Sequence, residues 1–242
     1  FTSMLLWILI LGNMGYNMIF FDRTIGQTQQ TMWSVGLFML AGFPKIILLL
    51  FFLVQDIIRA FTWFLRRSTN HPISENKFLP SRRKFVTVTA LGVASVPFFG
   101  LFYGMTFGKY NFKVIKKKLA FDRLPQSFDG FKILHITDIH SGSLDNKEKI
   151  EHSIDLINQQ ETDLILFTGD IVNTHAREMH PWIDTFKGIK KAEFGKYSVL
   201  GNHDYGEYVD WPSKQDKLQN FENIKSIHNK IDFKLLLNEH VK

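Results

Sequence analysis

The sequence predicts a two-part chain: a hydrophobic membrane region, residues 1–108, followed by an α/β domain, residues 109–242. Long apolar stretches fill the first part, while strand-like and helix-like segments alternate in the second. The charge divides at the same place, with nine Lys or Arg against three Asp or Glu before residue 109 and 20 of each after it. Because the second part carries no basic excess, we do not expect a nucleic-acid partner.

Three transmembrane helices are predicted, over residues 3–21, 33–58 and 85–108. The first stretch has no charged side chain and about the length needed to cross a hydrocarbon core of roughly 30 Å. Asn13 and Asn17 stand one helical turn apart in it. Polar side chains in this setting are expected to hydrogen-bond within a helix bundle.

Pro44-Lys45 interrupts the second apolar stretch. A lysine at mid-membrane is costly and can mark a functional site. A kink whose lysine snorkels or faces another helix is the simpler interpretation, and we favour it slightly.

Basic residues predict the orientation of the membrane region. The loop 59–84 carries seven Lys or Arg against one Glu, whereas the loop 22–32 carries one Asp and one Arg. The positive-inside rule puts the first loop in the cytoplasm, and the second loop and the domain from residue 109 outside it. We therefore expect a multi-pass protein of the cell's inner membrane whose domain lies on the extracytoplasmic side. "SRRKF", 81–85, resembles a twin-arginine export signal, and an ordinary positive flank is the alternative with the same topology.

Three buried strands are predicted in the second part, over residues 131–137, 163–168 and 196–200. Each is short, apolar and rich in β-branched residues, and turn residues stand nearby. Residues 111–121 are interpreted as an additional antiparallel edge strand.

Helices are predicted between these strands. The first runs over residues 146–160 with Asp145 as its cap, and the second lies around residues 182–190. The first helix carries three isoleucines on one face at helical spacing: Ile150, Ile154 and Ile157. The resulting β-α-β-α-β order predicts a mostly parallel sheet covered by helices.

Each predicted strand runs into metal-binding or proton-transferring side chains. The first ends in "TDIHSG" with Asp138 and His140, the second in "TGDIVN" with Asp170, and the third in "LGNHD" with Asn202 and His203. Neighbouring parallel strands lie roughly 5 Å apart. These side chains can therefore converge on ions about 3.5–4 Å apart, as in two-metal sites. Since the chain has no cysteine, any metal must be held by His, Asp, Asn or Glu.

Taken together, "DIH", "GDIVN" and "GNHD" resemble the first three motifs of the calcineurin-like metallophosphoesterases, over roughly residues 112–242. The resemblance implies that the domain is the N-terminal half of a calcineurin-like α/β sandwich. The twin-arginine-like segment and "TDIHSGS" suggest the bacterial membrane-associated branch. That branch includes phosphodiesterases, and some related enzymes act on lipid-linked pyrophosphates.

The resemblance also implies a role for each residue. Asp138 and His140 would bind the first metal, Asp170 would bridge two metals, and Asn202 would bind the second. His203 would act as the catalytic residue beside the substrate phosphate. Two divalent ions, with Mn, Fe and Zn left open, would polarise the phosphoryl oxygens and convert a bridging water to hydroxide.

The sequence departs from the family pattern in one respect. The later Gly-His and Gly-His-x-His motifs, which complete both metal sites in the family, are absent, and neither His228 nor His240 follows a glycine. We therefore expect a C-terminally truncated chain that holds about half of the site and has little activity by itself. Reading the coding sequence beyond Lys242 tests this expectation.

The expected function is that of a membrane-anchored, metal-dependent phosphodiesterase or phosphatase, with lipid-linked phosphates among the candidate substrates. The bilayer and a phosphorylated substrate are thus its expected partners. The alternative is a non-catalytic membrane protein whose degenerate phosphoesterase domain binds a partner or ligand. A nuclease on the same fold is disfavoured by the neutral charge of the second part and by the membrane helices.

Other polar and aromatic residues near the motifs have simpler interpretations. His175 and His180 either line the mouth of the site or are solvated. Asp204 and Asn173 are expected to brace their loops. An aromatic rim and core packing are about equally favoured for a further group: Trp182, Tyr205, Tyr208 and Trp211.

Overall fold

The computed structural model describes residues 2–68 and 79–241. The chain divides into two compact units, each considered by itself below. The first comprises Phe1–Ile19 and Met32–Lys109, and the second comprises Phe20–Thr31 and Tyr110–Lys242. The short segment that joins the first two helices therefore belongs to the second unit.

The first unit is built from helices α1 (Thr2–Ile19), α2 (Gln29–Ser68) and α3 (Leu79–Thr106). Within the described residues, Gln29–Leu65 and Lys84–Thr106 are long and apolar enough to cross a membrane, and Met4–Ile19 is a shorter apolar helix. Pro44 stands inside α2 without ending it. Residues 69–78 of the predicted cytoplasmic loop lie outside the described part, as do the side chains of Arg82 and Arg83 in the twin-arginine-like segment.

Polar side chains within the first unit meet partners on neighbouring helices. The Asn17 amide of α1 donates a hydrogen bond to the Ser34 hydroxyl of α2 at 3.0 Å. The Lys45 ammonium of α2 lies 3.9 Å from the ring centroid of Trp7 on α1. Helix–helix hydrogen bonding by Asn17 is therefore confirmed, as is the interpretation that Lys45 faces another helix.

The second unit contains a parallel sheet of four strands: β1 (Ile133–Ile136), β2 (Leu164–Phe167), β3 (Lys196–Ser198) and β4 (Lys234–Leu235). They pair in the order β1-β2-β3-β4, and all pairs are parallel. The predicted α/β class and its three parallel strands are confirmed. The fourth strand has too few residues to show a periodic pattern.

The predicted antiparallel strand at residues 111–121 is wrong. These residues have no regular secondary structure and are exposed throughout. Lys116, Lys117 and Lys118 interrupt the apolar–polar alternation there, so the segment offers no continuous apolar face to a sheet.

Helices α4 (Lys147–Asn158), α5 (Ile183–Lys187) and α6 (Lys214–Lys230) pack in the second unit. The N-cap of α4 is Asn146 and not the predicted Asp145. The Asn146 side chain accepts a hydrogen bond from the Lys149 amide at 3.0 Å. The Asp145 carboxylate instead accepts a hydrogen bond from the Tyr110 hydroxyl. Short 3₁₀ helices complete the unit: Gly108–Tyr110, Gln126–Phe128, Ser141–Ser143, Ala176–Trp182 and His203–Tyr205.

The core of the second unit lies between the sheet and its helices. Phe167 of β2 is buried there among apolar side chains of the three helices: Ile150, Ile154, Phe186, Ile224 and Ile227. Each buried side chain of this size contributes about 1.5–3 kcal/mol to the free energy of unfolding. The predicted apolar face of α4 is confirmed, with Ile157 packed partly buried at its end.

A histidine also lies in this core. His228 of α6 is fully buried and stacks on Phe167 with ring centroids 5.6 Å apart. Neither of its ring nitrogens has a hydrogen-bond partner among the described residues. Because burial disfavours the charged form, the pKa of His228 is lowered from 6.5 to about 4.

We predict that this histidine makes the fold acid-sensitive. The unfolded chain protonates His228 below pH 6.5, whereas the folded chain does so only below about 4. The unfolded state binds more protons between those values, so stability falls as the pH falls through that window, by roughly 3 kcal/mol in total. The His228→Leu variant should lose this component, which thermal unfolding between pH 7 and pH 4.5 measures. An unchanged pH slope in the variant would contradict the assignment.

Candidate metal centre

The parallel hydrogen-bond ladder between β1 and β2 continues into the loops that follow them. The Asp138 amide donates to the Gly169 carbonyl at 3.1 Å, and the His140 amide donates to the Asp170 carbonyl at 2.9 Å. The two polar motifs are therefore joined residue by residue at the carboxyl edge of the sheet. Ligands of open α/β sheets bind at this edge.

Three of the predicted site residues have a left-handed backbone. Asp138, His140 and Asp170 have φ angles of 54°, 46° and 57°. Non-glycine residues in such conformations carry about 1–3 kcal/mol of strain each and concentrate at functional sites. The ladder hydrogen bonds hold these residues in place, so the strain lies where the predicted ligands stand.

Two glycines allow the second and third loops to touch. A Cβ added to Gly169, which has φ 90°, would lie 2.0 Å from the Gly201 amide nitrogen. A Cβ on Gly201 would in turn lie 2.2 Å from Oδ1 of Asp170. Any other residue type at either position would separate the loops, which explains the glycine in both motifs.

A buried carboxylate joins the same two loops. Asp204, fully buried, accepts hydrogen bonds from the main-chain amides of Asp170, Ile171 and Gly201, each at 2.9 Å. Burial raises the pKa of Asp204 above its ordinary value of 3.8, and the three hydrogen bonds act in the opposite direction. Asp204 therefore braces the loops, as predicted.

The side chains of the three loops converge. One nitrogen or oxygen atom from each of His140, Asp170 and His203 lies within 4.8 Å of the others. Nε2 of His140 lies 3.7 Å from Oδ1 of Asp138 and 3.9 Å from Oδ2 of Asp170. Two imidazoles and the Asp170 carboxylate, with Asp138 beside His140, suit a divalent ion such as Zn, Mn or Fe. The residues present therefore fit the predicted metal.

His203 is held in a defined tautomer. Its Nδ1 lies 2.8 Å from the Asn173 carbonyl oxygen, which can only accept, so the proton is on Nδ1. Its own amide donates to Oδ1 of Asp170 at 2.8 Å. The ring meets His140 edge-on with centroids 4.7 Å apart. Nδ1 is thus occupied by this hydrogen bond, which leaves Nε2 as the nitrogen available at the site.

Asn202 directly precedes His203 in the chain and contacts a tyrosine. Its amide nitrogen donates a hydrogen bond to the Tyr208 hydroxyl at 2.7 Å. The amide oxygen, the atom with which an asparagine binds a metal, points away from that hydroxyl by the geometry of the amide group.

The aromatic residues divide between site and core. Tyr208 stacks on His203 with ring centroids 4.4 Å apart, so it lines the site. Tyr205 instead stacks on Phe221 of α6, and Trp182 is buried in the core. Trp211 meets His175 edge-on at 5.0 Å.

Buried polar residues follow the second motif. His175 is buried and therefore not solvated, whereas His180 is exposed. The Glu178 carboxylate accepts hydrogen bonds from the amides of Asn173, Thr174 and His175 at 2.6–3.2 Å. Sequence reasoning missed Glu178 because its partners are main-chain groups, and a glutamate three residues after a histidine is a weak capping signal.

The segment 20–31 packs beside the site within the second unit. The Arg23 carbonyl accepts the Asp210 amide at 3.0 Å, and the Thr24 carbonyl lies 3.1 Å from Nε2 of His175. Burial, with a smaller contribution from Arg177, lowers the pKa of His175. The neutral imidazole can donate from Nε2 to this carbonyl, which joins the segment to the loop after the second motif.

Two family models match the chain. One, described as "Probable Calcineurin-like phosphoesterase, transmembrane domain", matches residues 1–109. The other, described as "Calcineurin-like phosphoesterase", matches residues 131–240. No solved structure matches the chain significantly.

Several curated proteins are similar to parts of the chain. Uncharacterized metallophosphoesterase YkuE from Bacillus subtilis is 38% identical over 86 residues, covering 35% of this chain and 30% of the relative. An uncharacterized metallophosphoesterase from Helicobacter pylori is 27% identical, covering 71% and 42%. A transmembrane protein with metallophosphoesterase domain from Danio rerio is 25% identical, covering 43% and 23%. The chain spans less than half the length of each of these relatives.

We predict that Asp204 determines the order of both loops. Asp204→Ala leaves three buried amides without an acceptor and should destabilise the unit by about 3 kcal/mol or more, while Asp204→Asn should have a smaller effect. Hydrogen exchange in peptides covering residues 164–174 and 198–206 should accelerate. Asp210→Asn, a change at a nearby exposed carboxylate, is the matched control. Equal exchange in all the variants would contradict the bracing role.

Proposed function

Because the chain carries a calcineurin-like phosphoesterase domain after a transmembrane domain of the same family, we propose that it is a membrane-anchored, metal-dependent phosphoester hydrolase. The convergence of His140, Asp170 and His203 at the carboxyl edge of the sheet carries the proposal. Three side chains from three different loops meet there, and two of them, His140 and Asp170, have a strained left-handed backbone. Such an arrangement fits catalysis at a metal better than it fits three unrelated turns.

We assign the metal-binding roles as follows. Asp138 and His140 would hold one ion, Asn202 would hold a second through its amide oxygen, and Asp170 would serve both. When bound, two divalent ions polarise a phosphoryl group and supply hydroxide as nucleophile near neutral pH. The mixture of carboxylate, amide oxygen and imidazole suits Mn, Fe or Zn, in agreement with the family's use of divalent metals.

His203 is the proposed catalytic residue. Its Nδ1 proton is held by the Asn173 carbonyl, so Nε2 is the nitrogen that exchanges protons at the site. A protonated Nε2 can donate to the leaving oxygen of the ester or stabilise charge on a phosphoryl oxygen. The edge-on contact with His140 keeps the ring within reach of the proposed ligands.

The proposed substrates are phosphomonoesters or phosphodiesters presented at a membrane, with lipid-linked phosphates among them. Attachment to a bilayer raises the effective concentration of the enzyme at that surface. The equal numbers of basic and acidic residues after residue 108 do not favour polyanionic nucleic acid.

We further propose that the domain faces the extracytoplasmic side of the inner membrane. The segment 20–31, which connects α1 to α2, belongs to the same compact unit as the phosphoesterase domain. That segment and the domain must therefore share one side of the bilayer. The positive-inside rule assigns the opposite, cytoplasmic side to the arginine-rich loop 59–84.

A non-catalytic binding protein is the second candidate. A domain with this role would bind its partner without needing the Asp170 carboxylate, so one substitution separates the two candidates.

We predict that Asp170→Asn removes both metal and activity. The natural protein, purified in nanodiscs, should lose bound Mn and hydrolysis of bis(p-nitrophenyl) phosphate by roughly 100-fold or more, since the substitution removes the carboxylate between the proposed ions. Metal content is measured by mass spectrometry of the purified protein. Asp184→Asn, at an exposed carboxylate of α5, is the control and should match the wild type. If Asp170→Asn changes neither quantity, the catalytic proposal fails and the binding role is favoured.

We predict opposite labelling of the two loops by a membrane-impermeant maleimide. The chain has no cysteine, so a single introduced thiol reports on its own position. In intact cells Gln27→Cys, at an exposed site of the segment 20–31, should react. Asn70→Cys, in the arginine-rich loop, should react only after the membrane is permeabilised. The reverse pattern would place the domain in the cytoplasm.

A further inference from the structure

We propose that Tyr208 is a positioning residue that orients both the Asn202 amide and the His203 ring. This inference rests on the proposed function and deepens it. Tyr208 belongs to none of the three polar motifs, yet its side chain contacts two of the proposed site residues, one through its hydroxyl and one through its ring.

The hydroxyl contact restrains the Asn202 amide. The two ends of an asparagine amide are alike in shape but opposite in character, because the nitrogen donates and the oxygen accepts. The Asn202 nitrogen donates to the Tyr208 hydroxyl at 2.7 Å. This hydrogen bond occupies the amide nitrogen and leaves the oxygen, at the other end of the amide, available to a metal.

The ring contact restrains the catalytic histidine. Tyr208 and His203 stack with centroids 4.4 Å apart and planes 25° from parallel. The hydrogen bond from Nδ1 to the Asn173 carbonyl restrains rotation of the ring within its own plane. Stacking restrains tilting out of that plane, so the two contacts together direct Nε2.

Burial does not account for the position of Tyr208. Its side chain is 58% exposed, so little of its apolar surface is removed from water by packing. Hydrogen bonds restrain the neighbouring backbone. The Trp211 indole donates to the Gly206 carbonyl at 2.6 Å, and the Asp210 amide donates to the Arg23 carbonyl at 3.0 Å. Tyr208 is therefore an exposed tyrosine on a restrained segment, placed against two proposed site residues.

Two substitutions separate the contributions of the hydroxyl and the ring. Tyr208→Phe removes the hydrogen bond to Asn202 and keeps the stacking on His203. Tyr208→Leu removes both. Tyr205→Phe is the matched control, because it deletes a hydroxyl three residues away on a ring that stacks on Phe221 instead.

The first readout is binding of Mn²⁺ alone to the natural protein, measured by calorimetry without substrate. Tyr208→Phe should weaken binding about 10-fold, the lower end of the effect of removing a residue that orients a metal ligand. Tyr205→Phe should leave it unchanged. In an Asn202→Ala background, Tyr208→Phe should have no further effect, because the residue through which it acts is gone.

The second readout is turnover at saturating Mn²⁺. Tyr208→Phe should then retain most of its kcat, whereas Tyr208→Leu should lower kcat about 10-fold with little change in KM, because His203 is less well directed. A purely structural role would instead lower the thermal midpoint of both variants and would not depend on Asn202.

The outcomes distinguish this inference from the proposed function. If the wild type binds Mn²⁺ and hydrolyses ester but Tyr208→Phe binds Mn²⁺ equally well, the inference about Tyr208 is overturned and the function stands. If the wild type binds Mn²⁺ without hydrolysis, the function fails, and the loss of affinity in Tyr208→Phe still supports the orientation of Asn202. Absence of specific Mn²⁺ binding in the wild type overturns both.

Discussion

The candidate site depends on the buried Asp204 carboxylate. It accepts hydrogen bonds from amides of the second and third loops at once, at the place where Gly169 and Gly201 bring the two backbones into contact. The three main-chain donors compensate for removing a carboxylate from water. Because this contact joins the loops, Asp170 and His203 are brought together although 33 positions separate them in the chain.

The strain at the site follows from the same constraint. The first loop is joined to the second by the continued parallel ladder, and the second is joined to the third through Asp204. The left-handed backbone of Asp138, His140 and Asp170 persists because these contacts oppose its relaxation. After the second motif, the Glu178 carboxylate accepts hydrogen bonds from three successive main-chain amides. The loops that carry the proposed ligands are thus joined to one another by hydrogen bonds.

The segment 20–31 relates the site to the membrane region through the chain itself. It follows α1 and precedes α2 in sequence, yet it packs with the phosphoesterase domain. Its carbonyls contact His175 and the backbone after the third motif. An enzyme tethered in this way would work on substrates at or near the bilayer, which is the preference proposed above.

The sequence by itself determined the long apolar helices, the parallel strands β1 to β3, the buried face of α4 and the motifs at the strand ends. Each of these depends on local periodicity or on a short motif that a few adjacent residues carry. The tertiary structure alone decided which residues are partners. It left residues 111–121 without a strand, made Asn146 and not Asp145 the cap of α4, placed Trp182 in the core, and brought Tyr208 and Glu178 to the site. These outcomes depend on groups distant in sequence or on main-chain atoms, whose positions no local pattern encodes.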